Sequence, residues 1–172
     1  NSYGRSWRIP ENASLKNKKG LIDQSGKVVV PFEYADIELL SEGLIPVKKK
    51  SKWGFVDIAG KQQIKLQYEK ADPFISDRAL VKVKGKYGFI DNKGKIQIEP
   101  VYEEAQSFRK EGAVVKKDGK YGLLSHTGNV IFALEYDKIN FTEDGMIVFD
   151  KNGKKALYYP AKNRFIYKEK GF

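Results

Sequence analysis

The sequence predicts an all-β fold made of about five tandem 34-residue antiparallel β-meander units, and three observations predict it. First, one phrase is rewritten along the chain. It is clearest as Lys52-Trp53-Gly54-Phe55-Val56-Asp57 and Lys86-Tyr87-Gly88-Phe89-Ile90-Asp91. It fades to Lys18-Lys19-Gly20-Leu21-Ile22-Asp23, Lys120-Tyr121-Gly122-Leu123-Leu124-Ser125 and Lys154-Lys155-Ala156-Leu157. The anchor positions 20, 54, 88, 122 and 156 keep a spacing of 34 without slippage, and such a fixed period marks a repeat architecture. Second, short β-branched or alternating runs recur between Gly-containing turns. Third, no stretch carries the period of an amphipathic helix.

The elements follow in order. Residues 1–19 read as a worn unit in which Trp7 and Ile9 pack, Pro10-Glu11-Asn12 turns, and Ala13 to Lys19 takes the place of a strand. From Gly20 the pattern is regular. Leu21-Ile22-Asp23 leads through Gln24-Ser25-Gly26-Lys27 into Val28-Val29-Val30, with Gly26 supplying a positive φ and β-branched side chains suiting a packed sheet. Pro31, which has no N–H to give a ladder, is expected to close that strand. The segment from Tyr34 through Ile37, with equivalents at Tyr68, Tyr102 and Tyr136, fits either a helical turn or an irregular strand. Ala79 to Lys84 and Gly112 to Lys117 alternate as strands and run into the hairpin signals Gly85-Lys86 and Asp118-Gly119. Asn152-Gly153 repeats that signal in the last unit. The whole chain, 1–172, reads as one domain, with regular units over about 20–144 and a degenerate last unit over about 145–172.

The phrase with its Gly60-Lys61 and Gly94-Lys95 turns, the Pro31-to-Tyr34 spacing, and the Ser41-Glu42-Gly43 and Lys110-Glu111-Gly112 turns together resemble the WG repeat family (also called KWG repeats) of bacterial proteins. The resemblance covers residues from about 18 to 157. Only one copy keeps Trp, Tyr87 and Tyr121 stand in for it, and Lys19 and Lys155 break the pattern at the ends. What the resemblance implies is a non-catalytic binding or scaffolding module, often in secreted or envelope-associated proteins, with no shared catalytic site. The atypical end units favour an open, twisted array. A closed five-bladed β-propeller is the alternative, since four short strands fit in each unit.

Composition narrows the function. The chain has 172 residues, 41% of them hydrophobic and 13% aromatic, enough to bury a core and too apolar for a disordered segment. No apolar run is long enough to span a bilayer as a helix. The absence of an initiator Met and a signal peptide leads us to expect a processed boundary, and with it an exported bacterial protein of the periplasm or surface. With no Cys, disulfides and thiolate metal sites are excluded. The sequons at Asn12 and Asn140 matter only in a eukaryotic secretory route. The net charge of +10 fits an anionic partner, or simply a solubilising surface.

The candidate binding residues are the periodic Lys52, Lys86, Lys120 and Lys154 with their neighbours Trp53, Tyr87 and Tyr121. Evenly spaced cations suit a polyanion, and aromatic faces suit sugars or bases. The competing reading is that Lys protects hairpin edges while the aromatic residues are core, and strand neighbours such as Lys86 and Tyr87 point to opposite faces. Asp23, Asp57 and Asp91 precede Gly by three and read as caps of their own turns, since one carboxylate per unit is too few for calcium. The acidic residues around the Tyr segments are expected to pair with Lys on adjacent units. His126 is a lone turn His, and no nucleophile set, phosphate loop or paired-carboxylate spacing appears. The expectation is therefore no enzyme, no cofactor and no metal. The expected partner is another protein, with an anionic polymer (nucleic acid or acidic polysaccharide) as the alternative.

Overall fold

The structure, a computed structural model, describes residues 17–172. The expectations for Trp7, Ile9 and the Pro10–Asn12 turn lie outside the described residues. The rest is all-β, in five antiparallel sheets that follow one another along the chain. The first holds β1 (Lys19–Ile22) and β2 (Val28–Tyr34). The second holds β3 (Asp36–Ile37), β4 (Leu44–Lys49), β5 (Lys52–Asp57) and β6 (Gln62–Tyr68). The third repeats it with β7 (Lys70–Ala71), β8 (Ala79–Val83), β9 (Lys86–Ile90) and β10 (Ile96–Tyr102). The fourth comprises β11 (Glu104–Ala105), β12 (Ala113–Lys117), β13 (Lys120–Leu124) and β14 (Val130–Tyr136). The fifth comprises β15 (Lys138–Phe141), β16 (Ile147–Lys151), β17 (Lys154–Tyr159) and β18 (Arg164–Lys168), with a 3-10 turn at Pro160–Lys162 before its last strand. Every four-stranded sheet is a simple meander.

The Tyr segments are strands, not helical turns. A single residue, Ala35, Glu69, Glu103 or Asp137, separates the outermost strand of one sheet from the first strand of the next. The expectation for Pro31 needs correcting. Strand β2 runs through it to Tyr34, because β2 is an edge strand with an irregular register around Val30, where a missing N–H leaves no ladder bond unmade. Pro100 does the same in β10. The third-sheet hairpin is also shifted by one from the expected Gly85-Lys86. Its turn residues are Lys84 (φ 48°) and Gly85 (φ 76°), matching Asp118-Gly119 and Asn152-Gly153 as left-handed pairs suited to two-residue hairpins.

Strand alternation explains the continuous apolar runs. Each inner sheet is covered on both faces, so successive side chains feed two different cores. Leu80 and Phe89 point to one side of the third sheet, and Ala79, Val81 and Ile90 to the other. Four cores result. Val30, Tyr34, Ile45, Val47 and Val56 fill the first, and Trp53, Phe55, Ile64, Tyr68 and Phe74 form much of the second. Ile98, Phe108, Val115 and Leu124 belong to the third, and Val114, Leu123, Tyr136, Ile147 and Phe149 to the fourth. Each core lies between consecutive sheets. Among the described residues none joins the first sheet to the last, so the array is open and not a closed barrel.

The anchor glycine has a steric cause. The neighbouring strand crosses so closely that a Cβ at Gly54 would lie 2.6 Å from the Ile64 carbonyl oxygen. At Gly88 it would lie 2.6 Å from the Ile98 carbonyl oxygen and 2.7 Å from the Pro100 nitrogen. In the last sheet the bulge falls between Leu157 and Tyr158, Ala156 pairs directly with Lys168, and a methyl group is accommodated.

The three aspartates cap their own turns, as the sequence leads one to expect. Asp57 Oδ1 accepts N–H bonds from Ala59 and Lys61, Asp91 Oδ1 from Lys93 and Lys95, and Asp23 Oδ1 from Ser25 and Lys27. In the fourth sheet Ser125 Oγ accepts from Asn129. The Lys61 N–H holds the Asp57 carboxyl below its ordinary range, and the Ser25 hydroxyl does the same for Asp23. At Asp91 partial burial opposes the shift, but bonds from Lys95, Lys93 and Gln97 outweigh it. Because these groups titrate lower in the folded chain than in the unfolded one, their contribution is fully present above the ordinary Asp range near pH 4. It is lost as the pH falls through the depressed folded values. Urea midpoints measured across that interval should therefore drop on acidification. The combined change Asp23→Asn, Asp57→Asn and Asp91→Asn should flatten the drop.

Candidate functional site

The predicted lysines sit on hairpin tips. In the second to fifth sheets the central two strands are joined by a two-residue turn, and the tip pairs are Lys49 with Lys52, Val83 with Lys86, Lys117 with Lys120, and Lys151 with Lys154. Consecutive sheets share a core, so these tips come out on one edge of the array. The Asp23, Asp57 and Asp91 turns and their Ser125 equivalent, which join β1 to β2, β5 to β6, β9 to β10 and β13 to β14, lie on the opposite edge.

The aromatic neighbours do not stand beside the lysines as open platforms. Trp53 is 7% exposed within the second core, while Tyr87 and Tyr121 are half-buried against the third and fourth. Each also lies under a lysine from the strand opposite. Lys48 Nζ is 5.8 Å from the Trp53 ring centre, Lys82 Nζ is 5.1 Å from Tyr87, and Lys116 Nζ is 5.1 Å from Tyr121. These are directly paired residues across the hairpin, so the aromatic column forms cation–π pairs with a second Lys column, Lys48, Lys82 and Lys116, and not with the predicted one. The constant five-residue offset across a tight turn carried that signal in the sequence. In the last sheet the same positions hold Asp150 and Lys155, which form an ion pair instead.

Carboxylates are placed among the tips. The one-residue joints between sheets supply caps for tip turns, with Glu69 accepting from the Gly85 N–H, Glu103 from Asp118 and Gly119, and Asp137 from Asn152. Three ion pairs tie consecutive sheets, Lys19 with Asp36, Lys49 with Glu33 and Lys151 with Glu135, and a fourth, Lys120 with Asp137, ties the fourth sheet to the joint that follows it. Pairing of Lys with acids on adjacent units is thus observed. These pairs are exposed, and each contributes at most a few tenths to about 1 kcal/mol. The Lys120 ammonium lowers the Asp137 carboxyl and Lys19 lowers Asp36. On the fourth sheet Lys116 and the Tyr121 hydroxyl both bond Glu104, which lowers the carboxyl and raises the phenol.

The predicted lysines therefore divide. Lys120 is held by Asp137, whereas Lys52, Lys86 and Lys154 are exposed and have no ion pair among the described residues. His126 lies at an Asp-type turn, with its Nε2 against the Ser76 carbonyl oxygen and its ring 5.4 Å from Phe108, so it joins two sheets. Among the described residues no group of three His, Asp or Glu is placed to hold a metal ion, and no helix is long and apolar enough to cross a membrane.

Tandem four-stranded meanders with an anchor glycine define a β-repeat protein. The chain belongs to the family described as WG containing repeat, which matches it four times in register, over residues 20–53, 53–87, 87–121 and 121–154. No curated protein sequence matches the chain. Its fold is similar to that of BamB from Moraxella catarrhalis, with a TM-score of 0.51 and 11% sequence identity over 83% of this chain and 53% of that one. The chain thus spans about half the length of that protein. A protein of unknown function from Bacteroides caccae is matched at a TM-score of 0.38 and 14% identity, over 90% of this chain and 69% of that one.

Proposed function

We propose that this chain is a non-catalytic binding or scaffold module whose repeat surface docks a protein partner. The observation that supports this reading most directly is the use to which the periodic polar side chains are put. Aspartates cap turns, joint carboxylates cap hairpin tips, and the tip lysines cover aromatic rings, pair with acids or stand in solvent. On the Asp-turn edge, the first residues of the outer strands leave Val28, Ile96 and Val130 about half exposed, at 51%, 44% and 57%, one unit or two apart. Ile58 and Ile131 flank them. Apolar side chains that recur in register suit a partner that runs along several units. An exported or envelope setting follows from the family's usual context and is compatible with a chain free of Cys.

The test is capture of partners by the immobilised chain, compared with a Val28→Lys, Ile96→Lys, Val130→Lys variant of unchanged circular dichroism. Loss of a captured protein in the variant supports docking along this row. Retention of every captured protein would remove the row from the reading. Turnover of a cell-wall or other sugar polymer by the purified chain would overturn the non-catalytic assignment.

A further inference from the structure

The positive charge of the hairpin-tip edge is concentrated, not spread as an even ladder. The second-sheet tip carries Lys48, Lys49, Lys50 and Lys52; of the acids beside it, Glu33 is bonded to Lys49, and Asp36, paired across from Lys48, is bonded to Lys19. The third-sheet tip carries Lys82, Lys84 and Lys86, and its acid, Glu69, is turned onto the Gly85 N–H. The fourth-sheet tip sets Glu103, Glu104, Asp118 and Asp137 against Lys116, Lys117 and Lys120. The fifth sets Glu135, Asp150 and Glu169 against Lys151, Lys154 and Lys155. Two adjacent tips are therefore strongly cationic and the next two are close to neutral. Lys50, Lys52, Lys84 and Lys86 are exposed and make no ion pair or hydrogen bond among the described residues. Lys48 and Lys82 extend the same patch over Trp53 and Tyr87.

We infer that these two tips form a binding site for a linear acidic polysaccharide, separate from the Asp-turn edge. Four free ammonium groups on flexible stems act as point charges that engage sulfate or carboxylate without fixed geometry. Packed sheets lie about 10 Å apart, so the two tips meet an extended polyanion at two points along its length. The same structure argues against single-stranded nucleic acid. Such ligands are held by bases stacked on open aromatic faces, and here Trp53 is buried while Lys82 covers Tyr87.

The experiment titrates the whole chain with heparin, single-stranded oligo-dT and duplex DNA between 50 and 200 mM salt. Four charges neutralised together predict a loss of heparin affinity on the order of 100-fold across that range. Two variants that remove the same charge are compared. Lys50→Gln, Lys52→Gln, Lys84→Gln, Lys86→Gln should abolish most of this binding and its salt dependence. Lys117→Gln, Lys120→Gln, Lys151→Gln, Lys154→Gln should stay within about threefold of the native chain. An equal loss in both variants would mean diffuse attraction to net charge and overturn the site. Tighter binding of oligo-dT or duplex than heparin would overturn the ligand class, and binding that does not respond to salt would overturn both.

Discussion

Gly88→Ala is expected to destabilise the domain by about 3 kcal/mol or more, at the upper end of overpacking effects. The added methyl group would stand 2.6 Å from one backbone oxygen and 2.7 Å from the Pro100 nitrogen. Both belong to backbone that cannot rotate away as a side-chain tip can. Relief requires β10 to move off β9, which opens the third core at Ile98 and Phe89. The last unit provides the reverse substitution as a control. Ala156 occupies the equivalent position without the bulge, so Ala156→Gly gains no room and loses about 0.5–1 kcal/mol through chain entropy. Urea midpoints of the two variants check the pair, and a Gly88→Ala chain as stable as the native one would refute the steric account.

The second large effect concerns Phe55 and Phe149, both fully buried. Each truncation to Ala should cost about 3–5 kcal/mol, from lost transfer energy and the cavity left behind. The two rings lie in different cores, the second and the fourth, with the third and fourth sheets and the core they share between them. Their effects should therefore add to within about 0.5 kcal/mol. Phe55 and Phe74 share one core with ring centres 5.0 Å apart, so that pair should depart from additivity. Chemical denaturation of the single and double variants measures both. Strong coupling between Phe55 and Phe149 would mean that the cores are not separate.

Much of this fold was legible because its signals are local. The 34-residue period, the Gly turns and the Asp caps all depend on residues within a few positions of each other. The Tyr34 segment was ambiguous because a two-residue strand is too short to show a period, and only pairing with Val47 and Lys48 makes it one. Pro31 misled because its reading assumed a strand flanked on both sides, whereas β2 has a free edge. The candidate site was legible in part. The lysine column is plain in the sequence, but which ammonium groups are free depends on acids at the sheet joints, and those meet the tips only after folding. Trp53 and Tyr87 show the same limit. A column of aromatic residues next to lysines reads equally as platform or as core until the cross-strand partners Lys48 and Lys82 are placed over the rings.

The arrangement of cores between consecutive sheets also bears on how the chain is made. A ribosome delivers residues at roughly 5–20 per second, so one 34-residue unit emerges in about two to seven seconds, whereas a hairpin closes in about 1–10 μs. Each newly emerged sheet can therefore cover its predecessor long before the next one appears. At any moment the nascent chain shows a single uncovered apolar face, that of its latest sheet. Such a protein can grow or shrink by whole units over evolutionary time while the exposure risked during synthesis stays constant.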